Sequence, residues 1–264
     1  MFSSIIAKIL YQKRWMILFW SIGIIAMTVL TLSFYPSFAQ NGAFDQLYKN
    51  IPKSLQGLVG DTASLKTIPG YIGQQIFALR LPLLTLILAI VLFIGLTAGD
   101  ESEGTMQTLL AQPASRSRVL LEKLLAGAVI VTIASLAIMA GVFIGLLAIH
   151  NSFSLIRLIE AAFGCWLLTM FFGVFALLIG SATGKKGIAS GVASGVAFTS
   201  YLVTSLAPSV SKLEPLQKFS PFHYYLNPSI AEHGLQISNV VVLVGAIVGM
   251  VIIALIIFER RDIY

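Results

Sequence analysis

The chain has 264 residues, of which 57% are hydrophobic and only 11% charged, and its mean hydropathy is +0.91. Soluble domains run near a quarter charged, so composition excludes a soluble globular domain and implies an integral membrane protein. The formal net charge of +6 is not gathered on a basic face with interleaved aromatics, which argues against a nucleic-acid partner.

In chain order, Phe2, Ile5, Ile6, Ile9 and Leu10 make a helical apolar stripe, with Lys8, Gln12, Lys13 and Arg14 mostly off it. That pattern predicts an amphipathic helix lying at the membrane interface. Six apolar runs follow: Trp15–Tyr35, Leu81–Ala98, Leu124–Ile149, Ala161–Thr183, Ile188–Leu206 and Val240–Phe258. Each has about 18–26 residues, and about 20 residues at 1.5 Å rise cross a hydrocarbon core of ~30 Å. The first run is too long for the 7–15-residue core of a secretory signal, so it is expected to remain as a span. The expected fold is all-α, a single six-span membrane domain covering 1–264.

Lys and Arg set the expected orientation. One side would hold Lys8, Lys13, Arg14, Arg116, Arg118, Lys123, Lys185, Lys186, Arg260 and Arg261. The other would hold Lys49, Lys53, Lys66, Arg80, Arg157, Lys212 and Lys218. The first group hugs helix ends in short segments, where the rule applies, so both termini are expected in the cytoplasm.

Residues 36–75 are expected to form a long outer segment, with a short helix on Phe44, Leu47, Tyr48 and Ile51 ending at Pro52. A second outer segment, Pro208 to Asn239, carries Pro215, Pro221 and Pro228 and the cluster Phe219, Phe222, Tyr224 and Tyr225. Such rings favour the membrane–water boundary, so this segment is expected to dip back toward the membrane. Gly187, Gly191 and Gly195 repeat small-xxx-small spacing in span five, as do Gly141/Gly145 in span three and Gly245/Gly249 in span six. Small residues let helices approach closely in lipid. The rows could serve packing within the chain, or a subunit interface or moving face. Cys165 lies alone in span four, so no disulfide framework is possible, and it reads as a small apolar packing residue.

The polar stretch between spans two and three is where chemistry concentrates. Asp100, Glu101 and Glu103 stand within four positions, Gly104 and Thr105 follow, and Met106, Leu109 and Leu110 form one side of a helical turn. Pro113 ends that turn, and Ser115 or Ser117 can cap a helix beginning near Arg118. The product is a short helix with an apolar stripe, suited to a groove on another protein. Glu101 and Glu103 point about 200° apart on a helix and have no His or Cys beside them, which argues against a metal or catalytic pair. A solvated, salt-bridging face is the other reading of these carboxylates.

Glu101, Glu103, Gly104, Thr105, Leu109, Leu110, Pro113, Ser115 and Arg116, followed by Lys123 at the entry to span three, resemble the ABC-2 type permeases of ATP-binding cassette transporters. The resemblance continues in Ile51-Pro52, in Pro69-Gly70-Tyr71, and in Ser220 to Tyr225 before span six. Asp100 departs conservatively from the usual acidic residue before the motif. The resemblance implies six spans, a coupling helix on the loop (Glu101, Glu103, Gly104, Thr105, Met106, Leu109, Leu110, Pro113 and Arg116), and export driven by a separate ATPase.

The chain has no G-x-x-x-x-G-K-[ST] loop to cradle nucleotide phosphates. It is therefore expected to be no enzyme and to hold no cofactor or metal of its own, ATP being bound by a partner. An ion-coupled carrier would normally place ionisable residues inside the membrane, and the six runs contain none; a non-transporting membrane subunit is the further alternative. His150, His223 and His233 fall in outer segments, which leaves an intramembrane protease without a base. The expectation is an exporter subunit in a bacterial cell membrane. It would work with two ATPase copies and a second permease copy, and carry an amphipathic peptide, antibiotic, drug or lipid-like cargo.

Overall fold

The computed structural model describes residues 4–40, 64–104, 115–227 and 229–261, and among these it contains helices and no strands. The predicted helix before Pro52 lies outside the described residues. So do Thr105, Met106, Leu109, Leu110 and Pro113 of the proposed coupling element.

Helix α1 (Ile5–Gln12) is capped by Ser4, whose Oγ accepts from the Ala7 N–H. Among the described residues, six helices are long and apolar enough to cross a membrane. They are α2 (Arg14–Ser33, prolonged by α3, Tyr35–Gln40), α4 (Ile68–Ser102), α5 (Arg116–Ala148), α6 (Leu155–Thr183), α7 (Lys186–Leu206) and α11 (Ile237–Arg260). Between α7 and α11 lie three short helices: α8 (Glu214–Gln217), α9 (Pro221–Leu226) and α10 (Ile230–His233). The chain is thus an all-α, multi-pass membrane protein.

The helices outrun the apolar runs that mark them. The clearest correction concerns α4, which begins at Ile68 and not near Leu81, so the last part of the expected outer segment forms about its first two turns. Thr67 caps that start and Pro69 takes one of its first positions, where a missing N–H costs nothing. Periodicity missed it because Gln74, Gln75 and Arg80 dilute the apolar signal. Within α4, Ile72–Arg80 and Gly95–Gly99 are π-helical. Both wide turns offer carbonyls to side chains: Tyr225 Oη donates to Phe77 O at 2.7 Å and Lys123 Nζ to Leu96 O at 2.8 Å. Ser115 is the cap of α5, its Oγ accepting from the Arg118 N–H, and helix starts at Arg116, two residues before the predicted position.

Glycines set the closest approaches. Phe93 of α4 is fully buried, its ring held between Gly127 of α5 and Gly173 of α6; a Cβ on Gly173 would lie 2.6 Å from that ring. Gly141 and Gly145 seat α5 on Ile25, Thr28 and Leu32 of α2, which is packing within the chain. Helices α4 and α6 form the centre, with 72% and 67% of their most apolar stretches buried, against 17% for α7 and 11% for α11. The outer two therefore offer most of their surface to lipid or to another subunit.

Helix α1 does not lie free: Ile9 is buried with Leu92, Leu96, Ala126 and Ile130 of α4 and α5, and Glu122 Oε2 accepts from the Ile5 N–H at 3.0 Å. Helix α9 packs into the bundle with Phe222 and Tyr225 buried.

Candidate functional site

Both termini of the described chain, the end of α4, the start of α5 and the α6–α7 turn share one end of the bundle, and the acidic residues after span two lie at its centre. Successive residues of a helix diverge by about 100°, so three neighbouring carboxylates reach three different helices. Asp100 meets Lys123 of α5, with Nζ 2.6 Å from Oδ2. Lys123 is fully buried. Glu101 takes Arg261, just beyond α11, in a two-pronged pair with Nη2 to Oε1 at 2.5 Å and Nη1 to Oε2 at 3.1 Å. Glu103 meets Lys186 at the start of α7 at 2.9 Å, and that hydrogen bond and charge hold the Glu103 carboxyl below the usual carboxylate range.

Further contacts tie the same ends. Arg261 Nη1 donates to Ser181 O at 2.9 Å, and Arg116 Nη1 donates to Arg261 O at 2.6 Å. Ser117 donates to the Glu259 carboxylate. Gly184 stops α6 with φ of 64°, and a side chain there would strike Arg261 and lie 2.5 Å and 2.7 Å from the two Glu101 carboxylate oxygens. The glycine thus allows both the left-handed stop and the ion pair pressed against it.

Of the sequence-predicted coupling residues, the structure brings Glu101, Glu103 and Arg116 together and places Gly104 just after them at φ of 71°. The carboxylates form the salt-bridging face considered from sequence. Lys186 and Arg261 were read from sequence only as charges that set orientation, and Gly184 only as part of a tight turn with Lys185, Lys186 and Gly187, not as site residues. The available signal was charge complementarity: the carboxylates end one span exactly where basic residues open or close others.

The second feature is an apolar cleft of about 280 Å³ between α4 and α7. Leu79, Pro82, Leu83, Leu86, Ile87, Ile90 and Val91 form one wall, Ser190, Ser194, Ala197, Phe198 and Tyr201 the other, and Phe222 of α9 closes the end remote from the ion pairs. Phe222 is itself held among Phe172 and Tyr201, with ring centroids 5.7 and 5.5 Å away. The lining holds no charged group; its polar atoms are the hydroxyls of Ser190, Ser194 and Tyr201. Such a surface suits an apolar or amphipathic molecule of small size.

The glycine row of α7 runs beside this cleft. A Cβ on Gly187, Gly191 or Gly195 would meet nothing within 4 Å. The face of α7 that packs within the chain carries Ala189, Ala193 and Ala197 instead. Gly245 and Gly249 of α11 are equally open.

Residues 5–263 match the family model described as ABC-2 family transporter protein. No curated protein matches the chain.

Proposed function

Since that match spans nearly the whole chain and makes it a member of the ABC-2 transporter family, the permease subunit of an ABC transporter, we propose that it exports an amphipathic molecule through the cleft between α4 and α7. The observation that carries this reading is the cleft itself: charge-free walls, three hydroxyls, an aromatic stop at one end and ion-paired helix ends at the other. The family implies association with an ABC ATPase subunit. In our reading two such subunits act on two permease copies, with the charged end of the bundle and both termini facing the cytoplasm of a bacterial cell. The open glycine row of α7 (Gly187, Gly191, Gly195) is the contact between permease copies.

The segment from Thr105 to Pro113 is the docking element, Met106, Leu109 and Leu110 filling a groove on the ATPase. Closure of the ATPases pushes Glu101, Glu103 and Gly104 through this element. α4 and α7 then tilt against their counterparts, turning the cleft from one side of the membrane to the other. Cargo class follows from the lining: apolar walls do not replace the hydration shell of a small ion.

The test is reconstitution with the native ATPase, following ATP-driven efflux of a fluorescent amphipathic dye. Met106→Asp and Leu109→Asp place a charge where burial without a partner costs several kcal/mol, and are expected to lose ATPase association while still inserting. Ser194→Trp fills the cleft and is expected to keep ATPase association yet lose efflux. Normal association in both aspartate variants together with normal efflux in Ser194→Trp would defeat the reading.

A further inference from the structure

Among the described residues three ion pairs hold the charged end of α4, and they differ in what they join. Asp100–Lys123 binds α4 to α5, and Glu101–Arg261 binds it to the end of α11; neither partner helix lines the cleft. Among the described residues only Glu103–Lys186 spans the two helices that form the cleft walls. Below Val91 and Ser190, the last lining residues, α4 and α7 converge. Gly99 removes the side chain that would bar the way, and a Cβ there would lie 3.3 Å from Lys186 Cε. The lysine stem therefore lies across the bare backbone of the π turn, and its ammonium reaches Glu103 at 2.9 Å.

The pairs also differ in shielding. Lys123 is fully enclosed, and Glu101 and Arg261 have side chains 15% and 23% exposed, whereas Glu103 and Lys186 are 65% and 46% exposed. Buried pairs resist separation strongly, and exposed ones hardly at all. We propose that Glu103–Lys186 is a latch that closes the cytoplasmic mouth of the cleft, while the two shielded pairs keep α4 fixed to the rest of the bundle. This rests on the assignment of the cleft as the transport path and the charged end as cytoplasmic. Release of the latch parts α7 from α4 and frees the lysine stem from Gly99. It leaves the other anchors in place.

The experiment reads access to the cleft directly, in the full-length protein in inside-out vesicles. Ser194→Cys in a Cys165→Ser background is labelled with a membrane-impermeant maleimide. Glu103→Gln and Lys186→Gln are each expected to speed labelling roughly two- to five-fold, the range of an exposed pair. The exchanged pair, Glu103→Lys with Lys186→Glu, is expected to return it to the parental rate. A disulfide between Glu103→Cys and Lys186→Cys, formed before labelling, is expected to slow it below the parental rate until reductant is added. Unchanged rates in both single variants, an exchange that labels as fast as they do, or a disulfide without effect would each overturn the latch. If labelling responds as expected but the disulfide leaves dye efflux intact, the latch stands and the exporter reading falls.

Discussion

At the scale of the residue, Lys123 is a charged side chain with no exposed surface. It is enclosed at the charged end of an apolar bundle, and its ammonium meets the Asp100 carboxylate and the Leu96 carbonyl. Removing one partner of a buried pair leaves the other charge uncompensated, at about 3–5 kcal/mol, whereas replacing both with well-packed apolar groups is often neutral. Asp100→Asn is therefore expected to lower the unfolding temperature of the detergent-solubilised protein markedly, and Asp100→Leu with Lys123→Met to recover most of the loss. Equal unfolding temperatures for Asp100→Asn and the parent would remove the pair from the protein's structural foundations. From sequence Lys123 was visible only as a basic residue entering a span. Nothing in its neighbours in the chain announces burial, because its partners Asp100 and Leu96 come from α4.

Among the elements, α7 reverses an easy assumption. Its glycine row has the spacing of a packing face, yet the bundle grips the alanine row, Ala189, Ala193 and Ala197, on another side of the helix. Ala193 is fully buried, so Ala193→Leu overpacks the bundle, at a typical cost of about 1–3 kcal/mol. Gly191→Leu meets open space in the single chain. It is expected to unfold at the parental temperature but to weaken association of permease copies, measured by cross-linking in the membrane and by efflux. A Gly191→Leu protein that unfolds early while its copies still associate would put the row back inside the bundle. The six spans themselves were legible because about 20 apolar residues cannot be anything else in this composition. The first turns of α4 were not, since Gln74, Gln75 and Arg80 break the run and the helix there is supported by Tyr225 and Ala231, residues some 150 positions away. The direction of each carboxylate after span two was legible in angle, but its partner was not, because pairing depends on how helix ends assemble.

For the whole molecule, the division of charge gives a test of orientation. Arg116, Lys123, Lys186 and Arg261 gather with both chain ends at one end of the bundle, while Arg157 and Glu160 pair at the other. Ser115 and Ser152 are exposed at these two ends. In a Cys165→Ser background, Ser115→Cys is expected to react with an impermeant maleimide only in inside-out vesicles, and Ser152→Cys only in right-side-out ones. Reaction of both from a single side would refute the topology.

The Phe93 ring, clasped between two glycines, also divides α4 into unequal arms. From Phe93 to Ser102 is about 13 Å of helix, and from Phe93 back to Ile68 about 37 Å, at 1.5 Å per residue. The short arm is tied by Asp100–Lys123 and Glu101–Arg261 and the long arm by Tyr71 on Thr31 O and Tyr225 on Phe77 O, so α4 is a spine pinned on both sides of Phe93, and α7, with 17% of its apolar stretch buried, is the looser wall of the cleft.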